Sequence, residues 1–125
     1  MMSTNPAFYT ITPITATEKG HHYDLELVAD HPIFKGHFPD DPILPGVCLL
    51  QMAEELVQHC TGHPMALQRI HQAKFLNPVR PTHLSRLTAV LLIHKQGEQW
   101  RSEVQFFQQN HLISSIKADL IARAT

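Results

Sequence analysis

The stretch HPIFKGHFPDDPILPG, residues 31–46, constrains this chain more than any other. It holds four of the nine prolines and two of the five glycines. Proline fixes φ and removes a backbone donor, so the segment can be neither a regular helix nor an interior strand. Its apolar residues Ile33, Phe34, Phe38, Ile43 and Leu44 argue for an ordered loop anchored to a core, and long ordered loops inside compact domains are usually functional. Such a loop must be held by regular elements on both sides.

The element that follows is a helix. From Gly46 to Cys60, Val47, Leu50, Ala53, Val57 and Cys60 recur at three- and four-residue steps. Leu49, Met52 and Leu56 widen the stripe, and Thr61-Gly62 forms the stop. Polar residues are confined to Gln51, Glu54, Glu55, Gln58 and His59, so the helix is expected to be mostly enclosed, with one narrow polar strip. The rest reads as strands: 8–14 and 22–28 around a turn at Lys19-Gly20, 67–76 ending at Asn77-Pro78, and 84–94 ending at Lys95-Gln96-Gly97. Two alternating runs follow, Trp100 to Phe106 and Leu112 to Leu120, around Gln109-Asn110. Six strands with one buried helix after the second predict an α+β fold in which an antiparallel sheet curls around a central helix.

Length and composition set the limits. A chain of 125 residues suits one domain, 1–125, with a core of its own. The 43% hydrophobic content is too high for a disordered chain, and 17% charged residues is low for a lone solvated monomer. Ten Lys and Arg against eleven Asp and Glu leave no basic surplus for a nucleic-acid backbone, so no nucleic-acid partner is expected. The start MMSTNPAFYTITPI lacks a basic and then an apolar region, so no secretory signal is expected. The longest apolar runs, 89–93 and 42–50, fall far short of the roughly 18 residues of a membrane span. Cys48 and Cys60, placed on one helix, would stand roughly 18 Å apart, too far to bridge. The expectation is a cytoplasmic protein with reduced thiols.

Residues 31–47 resemble the signature of the 3-hydroxyacyl-(acyl carrier protein) dehydratases, which adopt the hot-dog fold. A second block, Ala73-Lys74-Phe75-Leu76-Asn77-Pro78-Val79-Arg80-Pro81, resembles that family's K-F-x-x-P-V-x-P strand end. The resemblance spans most of residues 8–123. It implies that His37 is the catalytic base and that the backbone N–H of Gly46, opening the central helix, binds the thioester carbonyl, with Phe38, Pro45 and Val47 also lining the substrate. A helix N-terminus suits a developing oxyanion, and a near-neutral imidazole suits proton abstraction beside it.

The chain departs from the pattern at the acid. The family carries Glu or Asp fourteen residues after the histidine, where this chain has Gln51. An amide can hold a hydroxyl but has no proton to give. The family's glutamine, one turn later, is here Glu55, so the two side chains look exchanged, with Glu55 about 5–6 Å further along the axis. The catalytic candidates are therefore His37, Gln51 and Glu55. Thr82-His83, where the family usually has Gly-Asp, affects a turn.

Plainer readings stand beside these. Outside its motif His37 would be read as a surface histidine, Gln51 as an ordinary helix residue, and Glu55 as lying near an interface or solvent. His59, Cys60 and His63 are the tightest candidate metal group, but no Cys-x-x-Cys or His-Glu-x-x-His accompanies them and no metal is expected. Cys48 at the helix start is either a dipole-activated thiol or, as its apolar neighbours favour, a packing residue. The resemblance implies a dimer with sites shared between subunits, an acyl carrier protein as substrate carrier, and no cofactor. Lys35, Lys74, Arg80 and Arg86 are candidate docking charges for an acidic carrier.

Three activities are compatible with these residues. The first is a dehydratase of fatty-acid or related polyketide or polyene lipid synthesis, with Glu55 or water as the acid. The second is a non-catalytic acyl-binding subunit paired with an intact homologue in a heterodimer, a reading that Gln51 favours. A hot-dog thioesterase stands third.

Overall fold

Pro45 and Gly62 delimit the only long helix among the residues that the structure, a computed structural model, describes: 7–36 and 40–124. This helix, α1 (Gly46–Thr61), begins where Pro45 in extended geometry turns the chain inward. It ends where Gly62 adopts a left-handed conformation (φ 75°) and returns its N–H to the Gln58 carbonyl at 2.9 Å. Glycine reaches that conformation without a Cβ penalty, so the Thr61-Gly62 stop acts as expected.

Around α1, β1 (Tyr9–Thr17), β2 (Gly20–Leu27), β3 (Met65–Phe75), β4 (Arg86–Gln96), β5 (Gln99–Gln108) and β6 (His111–Ala122) form one antiparallel sheet. Its order is β1-β2-β4-β5-β6-β3. The chain leaves β2, crosses through a 3₁₀ turn (Pro32–Lys35) and α1, and returns as the far edge strand β3. This is the expected α+β hot-dog arrangement, with the helix after the second strand.

Alternation puts one face of each inner strand on the helix. Leu25, Leu87, Ala89, Leu91, Val104, Phe106, Ile116 and Leu120 are almost wholly buried there, beside Met52, Leu56 and Val57 of α1. Cross-strand pairing aligns them, with Leu25 opposite Leu87, Leu91 opposite Val104 and Val104 opposite Ile116. Each fully buried aliphatic side chain stabilises the fold by roughly 1.5–3 kcal/mol relative to an exposed one.

Strand limits differ from expectation by one to three residues, for identifiable reasons. β1 extends three residues beyond the expected end at 14, and as an edge strand it holds Pro13 without loss of a ladder bond, with a register shift between Pro13 and Thr15. β3 starts earlier because the polar strip of α1 supplies acceptors: Gln58 Oε1 takes the Met65 N–H at 3.0 Å and Glu54 Oε2 takes the Leu67 N–H at 2.9 Å. Gln109 and Asn110 both have positive φ, 49° and 67°, as a two-residue hairpin between twisted strands requires.

The orientation of α1 also differs from expectation. Its buried face comprises Cys48, Leu49, Met52, Ala53, Leu56 and Val57. Leu50 and Cys60 are only partly covered, and Val47 is 69% exposed. A helix apolar on most of its circumference has no periodicity sharp enough to say which side meets the sheet. The outward ridge is Val47, Gln51, Glu55 and His59, at successive four-residue steps.

Candidate functional site

The two sequence blocks, some thirty residues apart, meet at the N-terminus of α1. Pro42 and Pro45 keep the chain before α1 out of regular structure. Beyond that loop, the Leu44 N–H bonds to the Val79 carbonyl at 2.9 Å. Arg80 grips Asp41 with two bonds, Nε to Oδ1 at 3.0 Å and Nη2 to Oδ2 at 3.2 Å. The guanidinium holds the Asp41 carboxyl below its ordinary range. Fork-to-carboxylate pairing fixes orientation as well as distance.

Gly46 lies directly beneath the Phe75 ring. A Cβ built on Gly46 would stand 3.2 Å from Phe75 Cζ and 3.3 Å from Cε1. Beside this contact is a cleft of about 360 Å³, lined by Ile43, Leu44, Leu49, Phe75 and Val79 among others, with Gly46 in its wall. The first N–H groups of a helix have no intrahelical partner and carry its positive partial charge, so this apolar cleft ends on an anion-stabilising terminus. Pro45 and Val47 flank that terminus.

The ridge of α1 carries the polar pair. Gln51 Nε2 donates to Glu55 Oε2 at 3.3 Å, and the Tyr9 hydroxyl donates to Glu55 Oε1 at 2.5 Å. The sequence reading therefore placed Gln51 and Glu55 correctly on one face but missed Tyr9. Forty-six residues separate Tyr9 from Glu55, and nothing in the pattern of β1 marks it. Phe8, next in the chain, packs on Tyr9 (ring centroids 4.8 Å) and edge-on against Phe34 (6.1 Å), with His31 at 6.3 Å. This aromatic cluster roots the loop that leads into the G-H-F-P motif. His37 and Phe38 themselves lie outside the described residues.

The remaining candidates resolve by their surroundings. Cys48 is 1% exposed, and burial pushes its thiol up to about 11, the behaviour of a packing residue. Cys60 is partly buried beside Tyr23, whose ring meets His59 edge-on at 5.5 Å. Both cysteines are free thiols. Among the described residues, no group of three or more His, Cys, Asp or Glu side chains is arranged to hold a metal ion. Of the candidate docking cations, Arg80 is engaged by Asp41 and Arg86 approaches Glu26 at 3.6 Å, while Lys35 and Lys74 are exposed. Thr82 and His83 form a turn closed by the His83 N–H on the Arg80 carbonyl.

Comparison with known proteins finds dehydratases. The ApeI-like family, described as ApeI dehydratase, matches residues 13–117. A 3-hydroxyacyl-[acyl-carrier-protein] dehydratase FabZ of Chlamydia abortus is 31% identical over 104 residues, 68% of this chain and 68% of that protein. The FabZ of a Sulfurovum species is 27% identical over 122 residues, covering 86% and 81%. Among solved structures, the dehydratase heterocomplex ApeI:P from Xenorhabdus doucetiae has a chain with TM-score 0.61 and 22% identity, over 90% of this chain and 98% of that one. The PaaI protein of the E. coli phenylacetic acid degradation operon has TM-score 0.65 and 15% identity, over 91% and 80%. At these identities the structural likenesses bear on fold alone.

Proposed function

Because the chain belongs to the ApeI-like dehydratase family, we propose that it dehydrates a 3-hydroxyacyl thioester carried on acyl carrier protein to the trans-2-enoyl thioester. The observation that carries this reading is the apolar cleft ending on the N-terminus of α1, where both motif blocks converge on Gly46. The thioester oxygen lies against the first amides of α1. His37 takes the proton from C2, and the electron pair moves toward the carbonyl, where the helix terminus stabilises the developing charge. The C3–O bond then breaks, and the hydroxyl leaves as water on receiving a proton. The reaction as written requires neither metal nor redox cofactor.

Gln51 and Glu55 form the polar side of the site and receive the 3-hydroxyl, with Glu55 or water as the proton source. The active species is a dimer in which each site joins His37 and Gly46 of one copy to the partner subunit's Gln51 and Glu55. Support for a covered face comes from exposed apolar side chains at Val47 on the ridge and at Ile70, Phe75 and Leu76 on or beside edge strand β3. Of the four candidate docking cations, Lys35 and Lys74 are exposed and meet an acidic carrier. The setting is cytoplasmic fatty-acid or related polyketide or polyene synthesis. No helix among the described residues is long and apolar enough to cross a membrane.

A second reading, an acyl-binding subunit that relies on an intact homologue, is favoured by one observation. Both oxygens of Glu55 are already engaged, by Tyr9 and Gln51. The variants His37→Ala and Glu55→Gln separate the two. For a dehydratase, His37→Ala lowers the hydration rate of a trans-2-enoyl thioester by about two to four decades while circular dichroism stays unchanged. A near-normal rate in that variant contradicts the role of His37. An inactive wild type that gains activity only beside a homologue with Glu at the Gln51 position establishes the second reading.

A further inference from the structure

Tyr9 is a buried phenol in contact with the candidate site that the reaction as described does not use. It is 7% exposed and wedged beside Phe8, and its hydroxyl donates to Glu55 Oε1 at 2.5 Å. Burial and the adjoining carboxylate both hold its pKa well above the ordinary range, so it remains a donor. The second carboxylate oxygen of Glu55 accepts from Gln51 Nε2. The Gln51 amide thus turns its nitrogen, not its oxygen, toward Glu55. Its carbonyl oxygen and second N–H then face outward from an exposed position on the ridge. An unanchored amide could present either edge.

We propose that Tyr9 is a positioning residue: through Glu55 it fixes the carboxamide of Gln51 so that its carbonyl oxygen accepts the hydroxyl proton of a 3-hydroxyacyl ligand, which makes this site selective for hydroxylated acyl chains. The proposal rests on the dehydratase reading for the identity of the ligand, but the Tyr9–Glu55–Gln51 chain is testable without turnover. A carboxylate clamped from two elements keeps its neighbour in one orientation at little entropic cost on binding. Tyr9 comes from β1 and the pair from α1, so sheet and helix together define the geometry.

The test compares wild type, Tyr9→Phe and Glu55→Gln, each checked for native circular dichroism. In ligand-free protein, nuclear magnetic resonance should show a downfield Tyr9 hydroxyl proton and a Gln51 side-chain amide displaced from its free position. The hydroxyl signal disappears in Tyr9→Phe and moves upfield in Glu55→Gln. The Gln51 amide relaxes toward its free position in both. Binding of 3-hydroxyacyl-pantetheine and of the matching saturated acyl-pantetheine is then measured on His37→Ala backgrounds to prevent turnover. The hydroxyl preference should fall about tenfold in Tyr9→Phe, the scale of one hydrogen bond held in place. Affinity for the saturated chain should stay within about twofold, on the same scale. A Gln51 amide unmoved by Tyr9→Phe in folded protein, or a hydroxyl preference that survives it, overturns the proposal. Should the wild-type background bind neither thioester, the dehydratase reading fails, while the resonance signature still decides whether Tyr9 holds the pair. Glu55→Gln keeps the test decisive if Tyr9→Phe does not fold.

Discussion

Gly46→Ala separates the role of the α1 terminus from its stability. The added Cβ would stand 3.2, 3.3 and 3.5 Å from three atoms of the Phe75 ring, where ordinary contacts begin near 3.4 Å. The ring must therefore shift by a few tenths of an ångström. Phe75 borders the open cleft and is not locked in the core, so its ring can yield toward that space at a steric cost of about 1 kcal/mol, the low end for added core volume. Gly46 does not have the positive φ that would forbid a side chain. Alanine there also restricts the unfolded chain, a gain of about 0.4–1 kcal/mol. The two effects nearly cancel, so thermal unfolding should move by less than about 5 °C. Activity should respond differently. Alanine keeps the backbone N–H, but its methyl and the displaced ring intrude on the cleft of about 360 Å³ where the thioester is proposed to lie. We expect kcat/KM to fall at least about tenfold, equivalent to about 1.4 kcal/mol of transition-state binding. The double variant Gly46→Ala, Phe75→Ala, which removes the opposing ring, should recover part of it, a coupling read directly from the double-mutant cycle. Steady-state hydration of a trans-2-enoyl thioester is the assay, with calorimetry in parallel. Full activity in Gly46→Ala at an unchanged melting temperature would refute the assignment of the cleft.

Other consequences follow from the same structure. Leu56 is wholly buried between α1 and the sheet, so Leu56→Ala should cost about 2–5 kcal/mol in urea unfolding; a loss below 1 kcal/mol contradicts the packing described. On the outer sheet face, Arg101 Nε at 3.1 Å and then His71 Nε2 at 2.7 Å hold the Asp119 carboxyl below its ordinary range. Its contribution is present above the ordinary Asp value of about 3.9 and is lost as pH falls through the lower folded value. The urea midpoint should thus decline more steeply between about pH 5 and 3 in wild type than in Asp119→Asn, and equal slopes would dismiss the triad. Gln51→Glu sets two carboxylates one turn apart, where repulsion raises one pKa and retains a proton for the leaving hydroxyl. Dehydration should rise, and a fall would show that the amide, not a missing acid, suits this site.

Much of this architecture is legible in the residues themselves, unevenly and for physical reasons. Proline and glycine act locally, so Pro45 and Gly62 mark the ends of α1 to within a residue of the structure. Alternation marks β5 because every second residue is buried, and it marks β6 by hydrophobicity, although Ile113, Ser115 and Asp119 on its other face are buried as well. Edge strands are harder to read. β3 exposes nearly all its residues beyond Leu67, so its limits depend on Glu54 and Gln58 reaching across from the helix. The facing of α1 is hidden by its nearly continuous apolar surface, which is why Val47 emerges on the ridge of Gln51 and Glu55 and not in the core. The four-residue spacing of that pair was readable. Its anchoring by Tyr9 was not, because a contact across forty-six residues leaves no local pattern.

The central claim is tested most directly by incubating the purified chain alone with a 3-hydroxyacyl thioester of acyl carrier protein and following the intact carrier by mass spectrometry. The account predicts loss of one water from the carrier-bound acyl group, reversed when the enoyl thioester is supplied. An unchanged acyl carrier, or bare carrier with released acid, would contradict it.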